Sequence, residues 1–144
     1  MISALRHAGL VVQDLESAIG FYEGLGLRLW RRETETGPFI EQVTGLSGVR
    51  LEWAKLKTPD DSLLELLQYH SHPANAPHEI APVQAHGCSH VAFTVADVEA
   101  TCARVKELGG TVTNPPALSS DKRACVAYGH DVDGILIELV EELS

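Results

Sequence analysis

The chain has 144 residues, a formal net charge of −9 and a sequence pI near 5.1. This length fits one domain with its own core, and 11 basic residues against 20 acidic ones argue against a nucleic-acid partner. The sequence has neither a basic leader followed by an apolar stretch nor an apolar run longer than a strand. We therefore expect a cytoplasmic protein with no membrane segment.

The first predicted elements are a strand, a turn and a helix. Residues 4–13 are predicted to form a strand that carries His7, and residues 15–25 a helix with Asp14 as its N-cap. An apolar stripe along this helix ends at Gly26, which predicts that one helix face packs on a sheet.

Four further segments complete the first module. Residues 27–34 alternate in polarity as a strand does. Residues 39–48 form an insertion without a counterpart later in the chain, and a short helical turn is predicted at 39–45. Residues 49–57 and 62–69 are predicted to pair as a hairpin.

Residues 70–87 are predicted to be a linker, because they contain three prolines and no sustained periodicity. The linker carries a competing set of metal ligands: His70, His72, His78 and His86. We expect this unpatterned segment to be a poorer metal site than one built on strands.

The second module starts with another strand and helix. Residues 91–95 alternate as a strand, so His90 at its start is predicted to point away from the helix-covered face. Asp97 is the predicted N-cap of the next helix, which ends at Gly109.

Three strands follow this helix and complete the module. Residues 111–113 begin a strand and residues 117–122 are predicted to be a polar loop. Residues 123–130 and 135–141 are predicted to form the last hairpin. Each module is therefore βαβββ.

Three cysteines, Cys88, Cys102 and Cys125, make an odd count without a Cys-x-x-Cys pair. This count predicts reduced thiols rather than a disulfide framework. Because free cysteine is among the residues most often buried, all three are expected to fill the core.

The two modules are related by constant offsets. Moving 83 positions along the chain takes His7 to His90, and moving 73 positions takes Glu65 to Glu138. Both glutamates interrupt runs that are otherwise apolar on both faces. An ionised carboxylate withdrawn from water loses several kcal/mol unless it is paired or bound to a cation, so the repetition predicts a shared cation.

Two βαβββ modules, each with a histidine near its first strand and a glutamate on its last, resemble the vicinal oxygen chelate superfamily. This glyoxalase/bleomycin resistance protein/dioxygenase family includes glyoxalase I and methylmalonyl-CoA epimerase. The resemblance spans the chain and implies an α+β fold of curved mixed sheets around a metal. It implies one domain over 1–144, with module one at 1–69, the linker at 70–87 and module two at 88–144.

The resemblance also implies four metal ligands: His7, Glu65, His90 and Glu138. Two imidazoles and two carboxylates suit Fe, Co, Ni, Mn or Zn. In such enzymes a substrate chelates the metal through adjacent oxygens and loses an α proton. We expect Glu138 to be the main catalytic base with Glu65 as its partner. Glu52, on the preceding strand, is the alternative for one of these roles, and the face on which it lies depends on the hairpin register.

Several functions stay open within this family. The order His, Glu, His, Glu is similar to that of bacterial glyoxalase I, a lyase, whereas epimerases, which are isomerases, usually place Gln at the position of Glu65. The alternatives are a ring-cleaving dioxygenase and a non-catalytic resistance protein that sequesters a small molecule. We predict a metal-dependent lyase or isomerase, and a homodimer because family members commonly pair. The metal site could be built within one chain or across the dimer.

Overall fold

The computed structural model describes residues 1–74 and 79–144, so the linker residue His78 lies outside the described residues. The chain divides into two compact units, Met1–Pro77 and His78–Ser144, and this boundary falls inside the predicted linker. Within the described ranges, no helix is both long enough and apolar enough to cross a membrane.

The first unit is one mixed sheet with two helices. Its elements are β1 (Ala8–Val11), α1 (Leu15–Gly24), β2 (Arg28–Thr36), α2 (Pro38–Thr44), β3 (Arg50–Lys57) and β4 (Leu63–Tyr69). The strand order is β1-β4-β3-β2, with β1 parallel to β4 and the other pairs antiparallel. The predicted hairpin and the short helix in the insertion are both confirmed.

The second unit repeats this plan with one added strand and without a counterpart of α2. Its elements are β5 (Val91–Thr94), α3 (Val98–Glu107), β6 (Thr111–Val112), β7 (Ala117–Leu118), β8 (Ala124–His130) and β9 (Leu136–Glu142). The order is β5-β9-β8-β6, and β7 pairs with β8. The prediction of a loop over 117–122 was therefore wrong at its start, where Ala117 and Leu118 pair with Val126 and Cys125. The α+β fold of two βαβββ modules is confirmed.

The helix caps form as the sequence predicts. Asp14 accepts a hydrogen bond from the Ser17 amide at 2.7 Å, and Asp97 accepts one from the Ala100 amide at 2.9 Å. Each helix buries its apolar stripe against one face of its own sheet. The glutamate projects from the opposite face of each sheet, and in the first unit Ile40 of α2 packs on Leu51 and Trp53 of that face.

The first strand is shorter than predicted. It begins at Ala8 rather than at residue 4, so His7 lies one position before β1, as His90 lies one position before β5. Each histidine therefore immediately precedes a short strand that is parallel to the last strand of its unit. From this position the side chain of His7 can reach β4 and that of His90 can reach β9.

The cysteines differ in burial, so the expectation that all three fill the core was wrong. Cys102 is buried, Cys125 is partly buried and Cys88 is exposed, and all three are free thiols. Burial raises the pKa of the Cys102 thiol, which keeps it protonated in the layer between α3 and the sheet.

Candidate metal centre

In the first unit, His7 and Glu65 form a close pair. Nε2 of His7 lies 2.8 Å from Oε2 of Glu65, and the side chains are 26% and 13% exposed. Nζ of Lys55 lies 3.5 Å from the other carboxylate oxygen of Glu65, Oε1. Both oxygens of this partly buried carboxylate are therefore engaged.

The strand register brings these residues to one face of the sheet. Glu65 is opposite Gly9 on β1 and opposite Lys55 on β3. Directly paired residues project to the same face, and successive residues alternate between faces. A Cβ at Gly9 would lie in ordinary van der Waals contact, 3.5 Å from Cδ1 of Leu67 and 4.0 Å from Oε2 of Glu65.

In the second unit, His90 and Glu138 form the corresponding pair. Nε2 of His90 lies 3.2 Å from Oε2 of Glu138, and the side chains are 29% and 23% exposed. Glu138 is opposite Ala92 on β5 and Tyr128 on β8, and the Tyr128 ring centroid lies 5.3 Å from that of His90. In the part of the chain that the structure describes, Glu138 forms no side-chain hydrogen bond or ion pair other than the one with His90.

The two histidines differ at their second ring nitrogen. Nδ1 of His90 lies 3.0 Å from Oγ of Ser89, which fixes the ring orientation in the way that outer partners of metal-binding histidines do. Nδ1 of His7 is buried and has no hydrogen-bond partner among the described residues.

A second pair of repeated side chains anchors both strands, and the sequence reasoning missed it. Oε1 of Gln68 accepts a hydrogen bond from the Leu15 amide at 2.8 Å, and Oε2 of Glu141 accepts one from the Val98 amide at 2.9 Å. Each contact ties the last strand of a module to the N-terminus of its helix. Gln68 and Glu141 lie three residues after the predicted ligands, Glu65 and Glu138, so they project to the opposite, helix-covered face. The offset of 73 that relates Gln68 to Glu141 was the available signal.

Glu52 does not share a face with Glu65. It is opposite Gln68, so it projects to the helix-covered face. There Nε of Arg32 donates to Oε1 of Glu52 at 2.7 Å, and Nε2 of His70 lies 2.7 Å from Oε2. The hydrogen bond from Arg32, followed by that from His70, holds the pKa of Glu52 below its ordinary value. Glu52 therefore cannot replace Glu65 as a base on the opposite face.

The linker histidines are engaged elsewhere or lie apart. His70 contacts Glu52, Nδ1 of His72 lies 2.7 Å from Oγ of Ser71, and His86 is exposed beside a cavity that His130 also lines. Across the residues that the structure describes within each unit, no group of three or more His, Cys, Asp or Glu side chains is arranged to hold an ion. The linker therefore offers no ligand cluster in its described part.

The two pairs have the chemistry and the spacing that a divalent cation requires. Imidazole nitrogen and carboxylate oxygen are donors of intermediate and hard character, which suits the divalent ions from Mn to Zn. Two adjacent ligands that are each about 2.1 Å from an ion lie roughly 3 Å apart. The observed nitrogen-to-oxygen distances of 2.8 Å and 3.2 Å match this separation. Each pair can therefore supply two ligands with little movement.

Comparison with known proteins agrees with this architecture. The model of the Glyoxalase/Bleomycin resistance protein/Dioxygenase superfamily matches residues 4–139. A lactoylglutathione lyase from Haemophilus influenzae is 30% identical over 142 residues, which cover 97% of this chain and 93% of that protein.

Solved structures show the same fold. A glyoxalase family protein from Bacillus cereus is 34% identical with a TM-score of 0.91, and the match covers 100% of this chain and 97% of that one. The fosfomycin resistance protein FosX from Listeria monocytogenes, solved with Mn(II) and sulfate, has a TM-score of 0.62 over 99% of this chain and 95% of its own. At 18% identity, FosX supports the fold alone. The chain belongs to the glyoxalase/bleomycin resistance protein/dioxygenase superfamily.

Proposed function

We propose that this protein is a divalent-metal-dependent lyase or isomerase that removes an α proton from a small substrate with adjacent oxygens. The observation that carries the proposal is the duplicated histidine–glutamate contact, at 2.8 Å in one unit and 3.2 Å in the other. Relatives named lactoylglutathione lyase favour the lyase over the epimerase. Glu65 favours it as well, because the epimerases that the sequence resembles usually carry Gln there.

The proposed ligands are His7, Glu65, His90 and Glu138. Two carboxylates neutralise the charge of one divalent ion, so the expected stoichiometry is one ion per chain. This stoichiometry is the same whether the four ligands come from one chain or from two chains of a dimer. When bound, the ion supplies Lewis-acid stabilisation of the negative charge that develops on a substrate oxygen as the α proton leaves.

The contacts of the two carboxylates favour Glu138 as the base. Among the described residues, His90 is the one ion-pair partner of Glu138 and contacts it through Oε2, so the other carboxylate oxygen can accept a proton from the substrate carbon. Oε2 and Oε1 of Glu65 are held by His7 and Lys55. Return of the proton by Glu138 to a neighbouring atom gives isomerisation. Epimerisation instead requires Glu65 to donate a second proton, taken from solvent beforehand, to the opposite face of the same carbon.

Proton exchange tests this proposal without knowledge of the natural substrate. The purified protein is loaded separately with Fe, Co, Ni, Mn and Zn, and α-hydroxy, α-keto and thioester compounds are incubated with it in D₂O. We expect deuterium to enter the α carbon of at least one class, and metal removal to stop the uptake. A protein that binds a small molecule tightly without binding metal would instead be a sequestering protein, and the proposal would be wrong.

We also propose that the protein is a homodimer. The first unit exposes large apolar side chains on β2 and α2: Trp30 at 51%, Phe39 at 70% and Val43 at 65%. Such surface is favourable to cover in a symmetric interface. Sedimentation at micromolar and higher concentrations should give a dimer, and a single monomeric species would contradict this.

A further inference from the structure

Lys55 stands beside the His7–Glu65 pair in an unusual setting. Its Nζ atom lies 3.5 Å from Oε1 of Glu65 and 4.5 Å from the ring centroid of Trp53, and its side chain is only 19% exposed. Trp53 itself is 7% exposed, so the ammonium group of Lys55 lies over a largely buried aromatic ring and also faces the carboxylate.

A second cation lies directly across the strand. Arg31 on β2 is opposite Lys55, and its Cζ atom lies 5.8 Å from the Trp53 ring centroid. Like charges that are directly opposite in an antiparallel pair destabilise the sheet. Arg31 has its own partner in Glu33, whereas the carboxylate partner of Lys55 is the predicted metal ligand Glu65.

The fold does not require a cation at this position. Moving 73 positions from Lys55 leads to Tyr128, which is opposite Glu138 just as Lys55 is opposite Glu65. The second pair is therefore built with a neutral neighbour. The positive charge of Lys55 therefore serves a role that the second unit does not share.

We propose that Lys55 binds an anionic group of the substrate, a carboxylate that lies beyond the two adjacent oxygens. This inference rests on the proposed function, because a metal ion bound to Glu65 would neutralise the carboxylate that is the counterion of Lys55 in this structure. Lys55 would then hold a poorly solvated positive charge without a counterion, which is unfavourable. A substrate carboxylate restores the balance, and a charge-assisted hydrogen bond to the ammonium group orients the substrate. Lys55 is thus a specificity-determining residue.

Lys57 provides a matched control. It lies two positions further along β3, on the same sheet face, and its Nζ atom is 4.9 Å from the ring centroid of Trp30 and 2.8 Å from Oδ1 of Asp61. It therefore has the same charge, the same kind of aromatic contact and a carboxylate partner. That partner is not a predicted metal ligand, so Lys57→Met should leave substrate binding unchanged.

The test compares a carboxylate with its neutral ester. The probe is hydroxylevulinate, which carries a hydroxyl group on the methyl carbon next to its ketone and a carboxylate at the far end of a short chain. Its methyl ester keeps the adjacent oxygens and loses the charge. Calorimetric titration of the metal-loaded protein gives both dissociation constants, and proton NMR in D₂O gives exchange at the hydroxymethyl carbon.

We expect the wild-type protein to bind the acid about tenfold or more tightly than the ester. Lys55→Met should remove this preference, whereas Lys55→Arg should keep part of it and Lys57→Met all of it. The metal content of every variant is measured in the same samples. Equal binding of acid and ester by the wild type, no binding of the acid, or an unchanged preference in Lys55→Met would overturn the inference.

The two proposals fail in different ways. If deuterium enters acid and ester alike and the two bind equally, the proposed function stands and the role of Lys55 is wrong. If the acid binds through Lys55 but neither it nor any of the α-hydroxy, α-keto and thioester compounds exchanges an α proton with any metal, the anion site stands and the proposed reaction is wrong.

Discussion

The His7–Glu65 and His90–Glu138 pairs share their ligand types but differ in what surrounds each carboxylate. Glu65 pairs with Lys55 as well as His7 and is 13% exposed, whereas Glu138 is 23% exposed and pairs with His90 alone among the described residues. The two modules therefore repeat the proposed ligand types but differ in the residue opposite each glutamate, which is Lys55 in the first and Tyr128 in the second. We therefore expect Glu65 to remain an ionised ligand and Glu138 to be the residue that accepts the substrate proton.

The largest expected effect is on proton transfer. Glu138→Gln should lower deuterium exchange at the substrate α carbon by ~100-fold or more while some metal is retained, because the amide cannot accept the proton. Glu65→Gln should lower it less per bound metal ion, because both oxygens of Glu65 are already engaged. NMR in D₂O measures both rates, with metal content determined in parallel.

Glu142→Gln is the control for this prediction, since Glu142 lies on the same strand as Glu138, on the same face, and is exposed. It should exchange at the wild-type rate. A fully metallated Glu138→Gln protein with wild-type exchange, or a larger loss in Glu65→Gln, would reverse the division of roles between the two pairs.

The hydrogen bonds from the helix N-termini to Gln68 and Glu141 should stabilise the two modules by similar amounts, with a slightly larger contribution from Glu141. Gln68→Ala and Glu141→Ala each remove a hydrogen bond to a helix N-terminus and should each lower the free energy of unfolding by about 1 kcal/mol. The loss should be larger for Glu141, because its charge also favours the helix N-terminus. Urea unfolding near neutral pH measures both, and a negligible loss in both variants would show that these contacts do not anchor the strands.

A smaller difference concerns the helices themselves. Gly20 is exposed in α1, and a Cβ there would meet nothing within 4 Å, while α3 has Ala103 at the equivalent position. Gly20→Ala should raise the free energy of unfolding by about 0.5 to 1 kcal/mol, because alanine favours the helix and restricts the unfolded chain. Ala103→Gly should lower it by a similar amount. Thermal or urea unfolding should show changes in the free energy of unfolding of opposite sign for the two variants. Changes of the same sign would show that positions 20 and 103 are not equivalent.

The smallest effect is a pH dependence that belongs to the first module. Hydrogen bonds from Arg32 and His70 lower the pKa of Glu52 from its ordinary value of 4.5, so this carboxylate stabilises the fold fully above that value. The stabilisation is lost as the pH falls through the depressed pKa of the folded protein. Because the group is partly exposed, the loss should be less than about 1 kcal/mol.

The second module has Cys125 at the position equivalent to Glu52, so it lacks this contribution. Glu52→Gln should therefore flatten the acid limb of the plot of unfolding free energy against pH. Urea titrations between pH values just above and well below the ordinary glutamate pKa give the slope. A slope unchanged by Glu52→Gln would mean that the ion pairs with Arg32 and His70 do not stabilise the fold.

The sequence was sufficient to predict the elements that depend on local signals. The Asp14 and Asp97 caps, the apolar helix stripes and the repeated histidine and glutamate positions all follow from residue type and spacing. These signals determine which sheet face a helix covers, and so which face is left for the proposed ligands. The family and the α+β fold could be predicted for this reason.

Features that depend on the register between strands could not be predicted. The faces of Glu52 and Lys55 depend on which β4 residue each one opposes, and a shift of one residue would exchange the two faces. The two-residue strand at Ala117 carries too few residues for a periodic pattern. The exposure of Cys88 depends on how the segment before β5 runs, which its composition does not specify.

Metal stoichiometry tests the central claim most directly. The wild-type protein, His90→Ala and the linker control His86→Ala are each saturated with a divalent metal, desalted and measured by elemental analysis. We predict one ion per chain in the wild type and in His86→Ala, and loss of the ion in His90→Ala, because the latter removes a proposed ligand. Full stoichiometry in His90→Ala, together with its loss in His86→Ala, would contradict the assignment of the metal to the duplicated histidine–glutamate pairs.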